Sequence, residues 1–272
     1  MAREKPKIQA GAGVELGEML GHGLEKTVYE QKDRPDKVIG VYHEVLGKKP
    51  EVTKARYYLM NILHMLYPKW FVHFSQVGQE KLYKSGRKKG KEKNANYYIT
   101  DKLELSEEHN RMSEIQYKHG EHGELKAEAD EMYERLRTDP QFLEFKEEME
   151  RIEMAHAPNI SGGLEMATVN FSKNSEGNLN YIDTADPFFD NGRLVADEVE
   201  LAFSAEKLRS RIMEKLADHE QIQALAHLDR ILILQKELTA ERKKDAEKLR
   251  QEFEKGAEKR EREWQKKFGK KK

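Results

Sequence analysis

Residues 20–30, LGHGLEKTVYE, place two glycines between segments of strand-like composition. Gly21 and Gly23 have no Cβ, so the backbone amides around them can approach a phosphate closely. A plain tight hairpin has the same composition, and both interpretations stay open at this point. The stretch has neither a Gly-Lys-Ser/Thr ending nor a third glycine, which excludes a Walker loop and a dinucleotide-binding fingerprint.

The chain around this stretch is predicted to form strands and one long helix. The segments richest in β-branched and aromatic residues are the predicted strands: residues 28–29, 38–42, 71–79 and 96–105. The first two flank the turn QKDRPD and predict a hairpin. Between Pro50 and Pro68, apolar residues recur three or four apart and predict an amphipathic helix with one buried face. Residues 84–93 hold six lysines and arginines, which favours a solvated basic loop over a phosphate contact.

The second half of the chain is predicted to be mostly helical, with one further hairpin. Residues 106–154 are acidic and carry the apolar spacing of two helices, separated at Asp139–Pro140. The segments ATVNF and LNYID, joined by SKNSEGN with its turn glycine, predict a hairpin over residues 167–183. From residue 204 onward the pattern is helical.

This second hairpin carries the candidate metal ligands. Asn170 and Asp183 come at the ends of its two predicted strands, and a hairpin brings such ends to one edge. An amide oxygen beside a carboxylate is a hard-oxygen pair suited to Mg²⁺. The alternative is a pair of polar residues that only mark the edge of a turn.

In their order, these elements resemble the protein-kinase-like fold. In that family a glycine-rich strand-loop-strand precedes a lysine-bearing strand, a helix, and a helical lobe that contains the catalytic hairpin. Here Asp183 follows Asn170 by 13 positions, as the metal-binding Asp follows the catalytic-loop Asn in the family. Glu165 stands where the family's catalytic Asp belongs, and Val28 follows Gly21 by seven positions, as in the family's glycine loop.

The resemblance implies an α+β, two-lobed fold with a small antiparallel β lobe, a helical lobe and a long C-terminal helical extension. It also implies ATP and Mg²⁺ as cofactors. The implied site residues are Gly21, Gly23 and Val28 against the nucleotide, Asn170 and Asp183 on the metal, and Glu165 on the acceptor hydroxyl.

The chain departs from the family at several positions. The predicted lysine strand has Gly40 where the phosphate-pairing Lys belongs, and the next helix has Leu59 where its Glu partner belongs. Lys26 takes the place of the third glycine, and the D-F-G motif becomes Asp183-Thr184-Ala185. Four lysines are candidate substitutes for the missing one: Lys37, Lys48, Lys49 and Lys54.

Two functions therefore stay open. One is an ATP-Mg²⁺-dependent kinase-like phosphotransferase with an unknown small-molecule or protein acceptor. The other is a catalytically impaired pseudokinase that acts as a nucleotide-binding or protein-interaction scaffold. A third possibility, a helical interaction protein, would follow if the fold assignment is wrong.

The amino-acid composition excludes several further classes of protein function. The 272 residues hold 49 Lys+Arg and 50 Asp+Glu, and this balance argues against a whole-molecule polyanion binder. The absence of Cys excludes disulfides, thiol catalysis and Cys-ligated zinc. No stretch approaches the ~18 apolar residues of a membrane span, so a cytoplasmic protein is expected. His119 and His122 are a weak metal candidate, since two such histidines are more often solvated.

The chain is predicted to divide into residues 1–105, a β-rich lobe with one helix, 106–239, a helical lobe, and 240–272, a charged helical tail. From residue 241 the tail has 14 Lys/Arg and 8 Asp/Glu, a net charge of +6. Its thin apolar stripe fits a weak coiled coil or a partner contact. Trp264 and Phe268 are candidate anchors for an acidic protein surface or nucleic acid.

Overall fold

The structure is a computed structural model that describes residues 7–8, 14–23, 26–42, 49–83, 92–111, 123–154, 163–189 and 198–268. Over these ranges the protein is α+β, as expected from the sequence. A six-stranded antiparallel sheet and a two-stranded hairpin are joined and covered by helices.

The large sheet is built from neighbouring antiparallel strands. Its strands are β1 (Lys7–Ile8), β2 (Leu16–His22), β3 (Lys26–Gln31), β4 (Arg34–Tyr42), β5 (Phe74–Tyr83) and β6 (Glu92–Asp101). Their order is β1-β5-β6-β4-β3-β2. The predicted hairpin around QKDRPD is confirmed as β3–β4. The basic loop predicted over residues 84–93 falls mostly outside the described residues.

Helix α1 (Pro50–Leu66) lies between β4 and β5 in sequence, and its predicted amphipathic character is confirmed. Ala55, Leu59, Ile62 and Leu63 are fully buried in the main core. The chain then enters an aromatic segment, and the Tyr181 amide donates to the Trp70 carbonyl at 2.8 Å. This bond attaches the second hairpin directly beyond the end of α1.

The second hairpin pairs β7 (Phe171–Lys173) with β8 (Leu179–Tyr181). The sequence predicts that Asn170 ends a strand, and this prediction is wrong. Asn170 instead closes a single 3-10 turn, Thr168–Asn170, directly before β7 begins. Because the two strands are antiparallel, the start of β7 still lies beside the end of β8. Tyr181 and Phe171 pack with Phe145 and anchor the hairpin in the core.

Four longer helices follow along the chain: α2 (Gly123–Arg137), α3 (Pro140–Arg151), α4 (Ala205–Lys215) and α5 (Asp218–Phe268). The predicted break between α2 and α3 is confirmed. The Asp139 side chain accepts from the Gln141 amide at 2.8 Å, and Pro140 begins α3. Ser204 caps α4 in the same way, through the Lys207 amide.

Helix α5 has 51 residues and runs without interruption across residue 240. Its first half packs on α1, and the buried contact residues include Leu228, Ile231 and Leu238. In its second half Phe253 and Trp264 are 71% and 63% exposed, as predicted for the tail. The Phe268 side chain lies outside the described residues.

None of the helices in the described ranges has the length and apolar composition needed to cross a membrane.

Candidate functional site

Gly21 and Gly23 define the glycine turn, which lies at one edge of the sheet, where β2 ends and β3 follows. Gly21 pairs in register with Val28, and the Gly23 amide donates to the Lys26 carbonyl at 2.9 Å. Among the described residues, a Cβ at Gly21 would meet no atom within 4 Å, and one at Gly23 would meet only a backbone oxygen at 3.7 Å. Packing of the described residues therefore does not require glycine at these positions, and the space where a Cβ would stand is open to a ligand.

Gly40 has a different reason to be glycine. It lies opposite Tyr98 in the β4–β6 register, and a Cβ at Gly40 would lie 2.1 Å from the Tyr98 Cζ atom. The Tyr98 ring is buried and stacks on Phe74 with ring centroids 4.7 Å apart, so it has little freedom to move away. A lysine side chain on β4 at this position is sterically excluded.

Lys26 supplies a cation from the neighbouring strand instead. Side chains alternate between the two faces of a strand, so Lys26 and Val28 share one face of β3. Their register partners on β4 are Tyr42 and Gly40. From this face the Lys26 ammonium forms an ion pair with the Asp183 carboxylate, which follows the second hairpin.

The sequence-based substitutes for the missing lysine do not reach this position. Lys37 pairs with Asp101 at the far end of β4, and Lys49 pairs with Glu241 on α5. Lys54 is exposed on α1, and Lys48 lies outside the described residues. From the sequence alone, Lys26 is assigned only as the replacement for the third glycine. Lys26 lies two residues before Val28, and residues two apart on a strand share a face. This spacing is the signal in the sequence that places Lys26 on the same face as Val28.

The second hairpin brings Glu165, Asn170 and Asp183 into one segment. The Ile182 amide donates to the Asn170 carbonyl at 2.9 Å, which places Asp183 one residue beyond that bond. The Asn170 side-chain amide donates to the Glu165 carbonyl at 3.0 Å. This bond occupies the side-chain NH₂ group of Asn170 and leaves the side-chain oxygen as the atom that would face a metal ion. Leu59, by contrast, is fully buried in the core and brings no charge to the site.

Glu165 itself is exposed, while the backbone that carries it is fixed. Its amide donates to the Tyr181 hydroxyl at 3.2 Å. Tyr181 is fully buried, and burial raises the pKa of its phenol well above the usual value. The tyrosine therefore remains a neutral anchor for the Glu165 backbone, while the carboxylate lies at the surface.

The Lys26–Asp183 pair is charged at neutral pH. Burial favours the neutral form of Asp183, but the Lys26 ammonium outweighs it, so the pKa of Asp183 is lowered. Burial likewise opposes the charge on Lys26, and the Asp183 carboxylate outweighs it, so the pKa of Lys26 is raised. The side chains are 16% and 28% exposed, so a ligand can reach both partners.

The candidate metal ligands fit Mg²⁺ chemically but do not make a complete protein cage. Asn170 and Asp183 offer two hard oxygens, and Mg²⁺ commonly takes its other ligands from phosphates and water. Within the described part of the chain, no group of three or more His, Cys, Asp or Glu residues is arranged to hold a metal ion. His119 and His122 lie outside that part.

No family model matches the chain, and no curated protein matches its sequence.

Proposed function

We propose that this chain is a kinase-like phosphotransferase that binds ATP with Mg²⁺ and transfers the γ-phosphoryl group to a hydroxyl acceptor. The observation that carries the proposal is the Lys26–Asp183 ion pair, which joins the glycine turn to the second hairpin. A cation for phosphate and a carboxylate for metal are the two charges that phosphoryl transfer requires most.

The ion pair suits exchange with a ligand. Without nucleotide, the Lys26 ammonium and the Asp183 carboxylate neutralise each other in a partly buried setting. With a magnesium-nucleotide complex, Asp183 gains a metal cation and Lys26 gains phosphate oxygens, so neither charge is left unpaired. Lys26 on the neighbouring strand β3 therefore compensates for the missing lysine at position 40 of β4.

The other residues take roles that follow from their positions. Gly21 and Gly23 leave open space where a Cβ would stand, so a phosphate can approach the backbone there, and Val28 lies on the same strand face as Lys26. The Asn170 amide oxygen serves as a second metal ligand beside Asp183. Glu165 positions the acceptor hydroxyl or accepts its proton. In this proposal the sheet with α1 forms one lobe and the hairpin with the later helices forms the other.

The proposal is tested by nucleotide binding in matched variants. Thermal unfolding of wild type with ATP and Mg²⁺ should show a raised Tm, since ligand at 100 times Kd stabilises by about 2.7 kcal/mol. Lys26→Met and Asp183→Asn should each weaken ATP affinity at least tenfold, about 1.4 kcal/mol, with each shift measured from the variant's own unliganded Tm.

Lys37→Met is the control, because Lys37 also pairs with a carboxylate from the same sheet but far from the glycine turn. It should bind nucleotide as wild type does. A wild type whose Tm does not change at millimolar ATP and Mg²⁺ would contradict the proposal.

The pseudokinase alternative is favoured by Gly40 and Leu59, which replace both members of the family's Lys–Glu pair. It predicts nucleotide binding that depends on Lys26, without any turnover of ATP. Measuring ADP release alongside binding separates the two functions.

A further inference from the structure

Helix α1 contacts the segment after the second hairpin through a buried arginine. Arg56 is 1% exposed, and its Nε and Nη2 atoms both meet the Asp186 carboxylate. One turn further along α1, the Met60 sulfur accepts the Ala185 amide at 3.3 Å. The segment that carries Asp183 is thus held against α1 at two successive residues.

Asp186 also connects this segment to the chain leading to Glu165. The Gly163 amide donates to the Asp186 carbonyl at 2.8 Å, and the Asp186 amide donates back to Gly163 at 2.7 Å. Gly163 precedes Glu165 by two residues. Arg56 therefore holds Asp186 in place. Asp186 lies three residues after the proposed metal ligand Asp183, and its bonding partner Gly163 lies two residues before the proposed acceptor-binding Glu165.

A chain of ring contacts links Arg56 back to Lys26. The Arg56 guanidinium lies over the Tyr42 ring, 5.0 Å from its centroid. Tyr42 and Tyr98 have centroids 5.6 Å apart, and the Lys26 ammonium lies 5.6 Å from the Tyr98 centroid. Two cations thus flank a tyrosine pair, and each one binds a carboxylate of the same short segment.

The two ion pairs share one backbone segment, because Asp183 and Asp186 are three residues apart. A displacement of the segment would separate Lys26 from Asp183 and Arg56 from Asp186 together. Tyr98 adds no charge of its own near neutral pH, since burial raises its pKa to about 12. The two ion pairs are therefore coupled by geometry.

We propose that Arg56 is a positioning residue, which sets Asp183 opposite Lys26 and so prepares the segment for a divalent cation and nucleotide phosphates. The role as a site for magnesium-nucleotide rests on the proposed function, whereas the coupling between the two ion pairs does not. In this proposal Arg56 contacts neither the metal nor the nucleotide, because its buried guanidinium pairs with Asp186 and lies over the Tyr42 ring.

The ligand-free test is a double-mutant cycle in chemical denaturation. If Arg56 positions Asp183, Lys26→Met should reduce the folding equilibrium constant about tenfold less in the Arg56→Met background than in wild type. Lys37→Met, which removes the other Lys–Asp pair, should add independently to Arg56→Met. Additive effects of Lys26→Met and Arg56→Met would overturn the proposal. Asp186→Asn provides the same cycle if Arg56→Met does not fold.

The ligand test compares ATP affinity with Mg²⁺ and with EDTA. A merely structural role would weaken both affinities equally, whereas a positioning role should reduce the ratio of the two by about tenfold in Arg56→Met. Arg56→Lys should restore part of the ratio. The control is Arg211→Met, which breaks another largely buried ion pair, between Arg211 of α4 and Glu148 of α3. An unchanged ratio in Arg56→Met would contradict the positioning role.

The two tests separate this inference from the proposed function. If wild type binds no nucleotide but the cycle is non-additive, the proposed function fails and the positioning of Asp183 by Arg56 stands. If wild type binds nucleotide but the cycle is additive, the positioning inference fails alone.

Discussion

Gly40 and Tyr98 lie directly opposite each other on β4 and β6, and the Tyr98 ring fills the space that a side chain at residue 40 would need. The same ring lies between Lys26 and Tyr42. One aromatic residue thus explains both why β4 has no lysine at position 40 and how the Lys26 cation of the neighbouring strand is oriented.

We expect Gly40→Ala to destabilise the protein by about 1–3 kcal/mol, because the new methyl group overlaps a ring that is already packed on Phe74. Urea denaturation measures this change. Gly256→Ala is the control, since its Cβ would meet only an arginine nitrogen at 3.9 Å. In a helix this substitution should stabilise by up to about 1 kcal/mol. A neutral Gly40→Ala would show that Tyr98 moves away readily.

We expect Glu165→Gln to lower ADP formation by about 10²-fold or more while ATP affinity stays near that of wild type, because the carboxylate is assigned to the acceptor and not to the nucleotide. Initial rates and calorimetric binding measure the two quantities. Glu176→Gln, on the exposed turn of the same hairpin, should change neither. A parallel loss of ATP affinity in Glu165→Gln would contradict the assignment.

Stability should fall in acid through Glu148, which joins α3 to α4. Burial opposes its charge, but Arg211 at 2.6 Å and Lys215 at 2.9 Å outweigh burial and lower its pKa to about 2. Because the folded pKa lies below the usual 4.5, the stabilisation is complete above about pH 5 and is lost as the pH falls towards 2.

Glu148→Gln should therefore cost about 2–3 kcal/mol at pH 7 and much less near pH 2, as measured by denaturation at several pH values. Glu144→Gln removes an exposed pair with Lys69 and should cost less than about 1 kcal/mol at any pH. Equal losses at pH 7 and pH 2 for Glu148→Gln would show that the pair contributes by shape and not by charge.

Truncation after Lys244 should lower Tm by no more than a few degrees and leave nucleotide binding intact. The ion pair of Lys243 with Glu198 is kept, and the removed residues include the exposed Leu249, Phe253 and Trp264. Truncation after Leu232 is the contrasting variant, because it removes the buried Leu234 and Leu238 and should cost several kcal/mol. Unfolding of the variant truncated after Lys244 would show that the apolar stripe of the tail packs on the rest of the protein.

Local patterns determined most of the secondary structure. The β3–β4 hairpin, helix α1 and the second hairpin follow from residues near in sequence, since strand alternation, helical spacing and turn residues act over a few positions. The sequence predicts the first strand of the second hairpin over residues 167–171, with Asn170 towards its end, whereas β7 begins at Phe171 after the 3-10 turn Thr168–Asn170. The two-lobed arrangement stays a prediction.

The sequence by itself determined the charged and polar residues of the candidate site, Glu165, Asn170 and Asp183, and the absence of a lysine at Gly40. Only the tertiary structure decided which cation faces Asp183, because Lys26 lies 157 residues away and reaches it through strand register and the placement of the hairpin. The pairing of Arg56 with Asp186 is long-range for the same reason. Such contacts depend on how whole elements pack, and no local pattern encodes them.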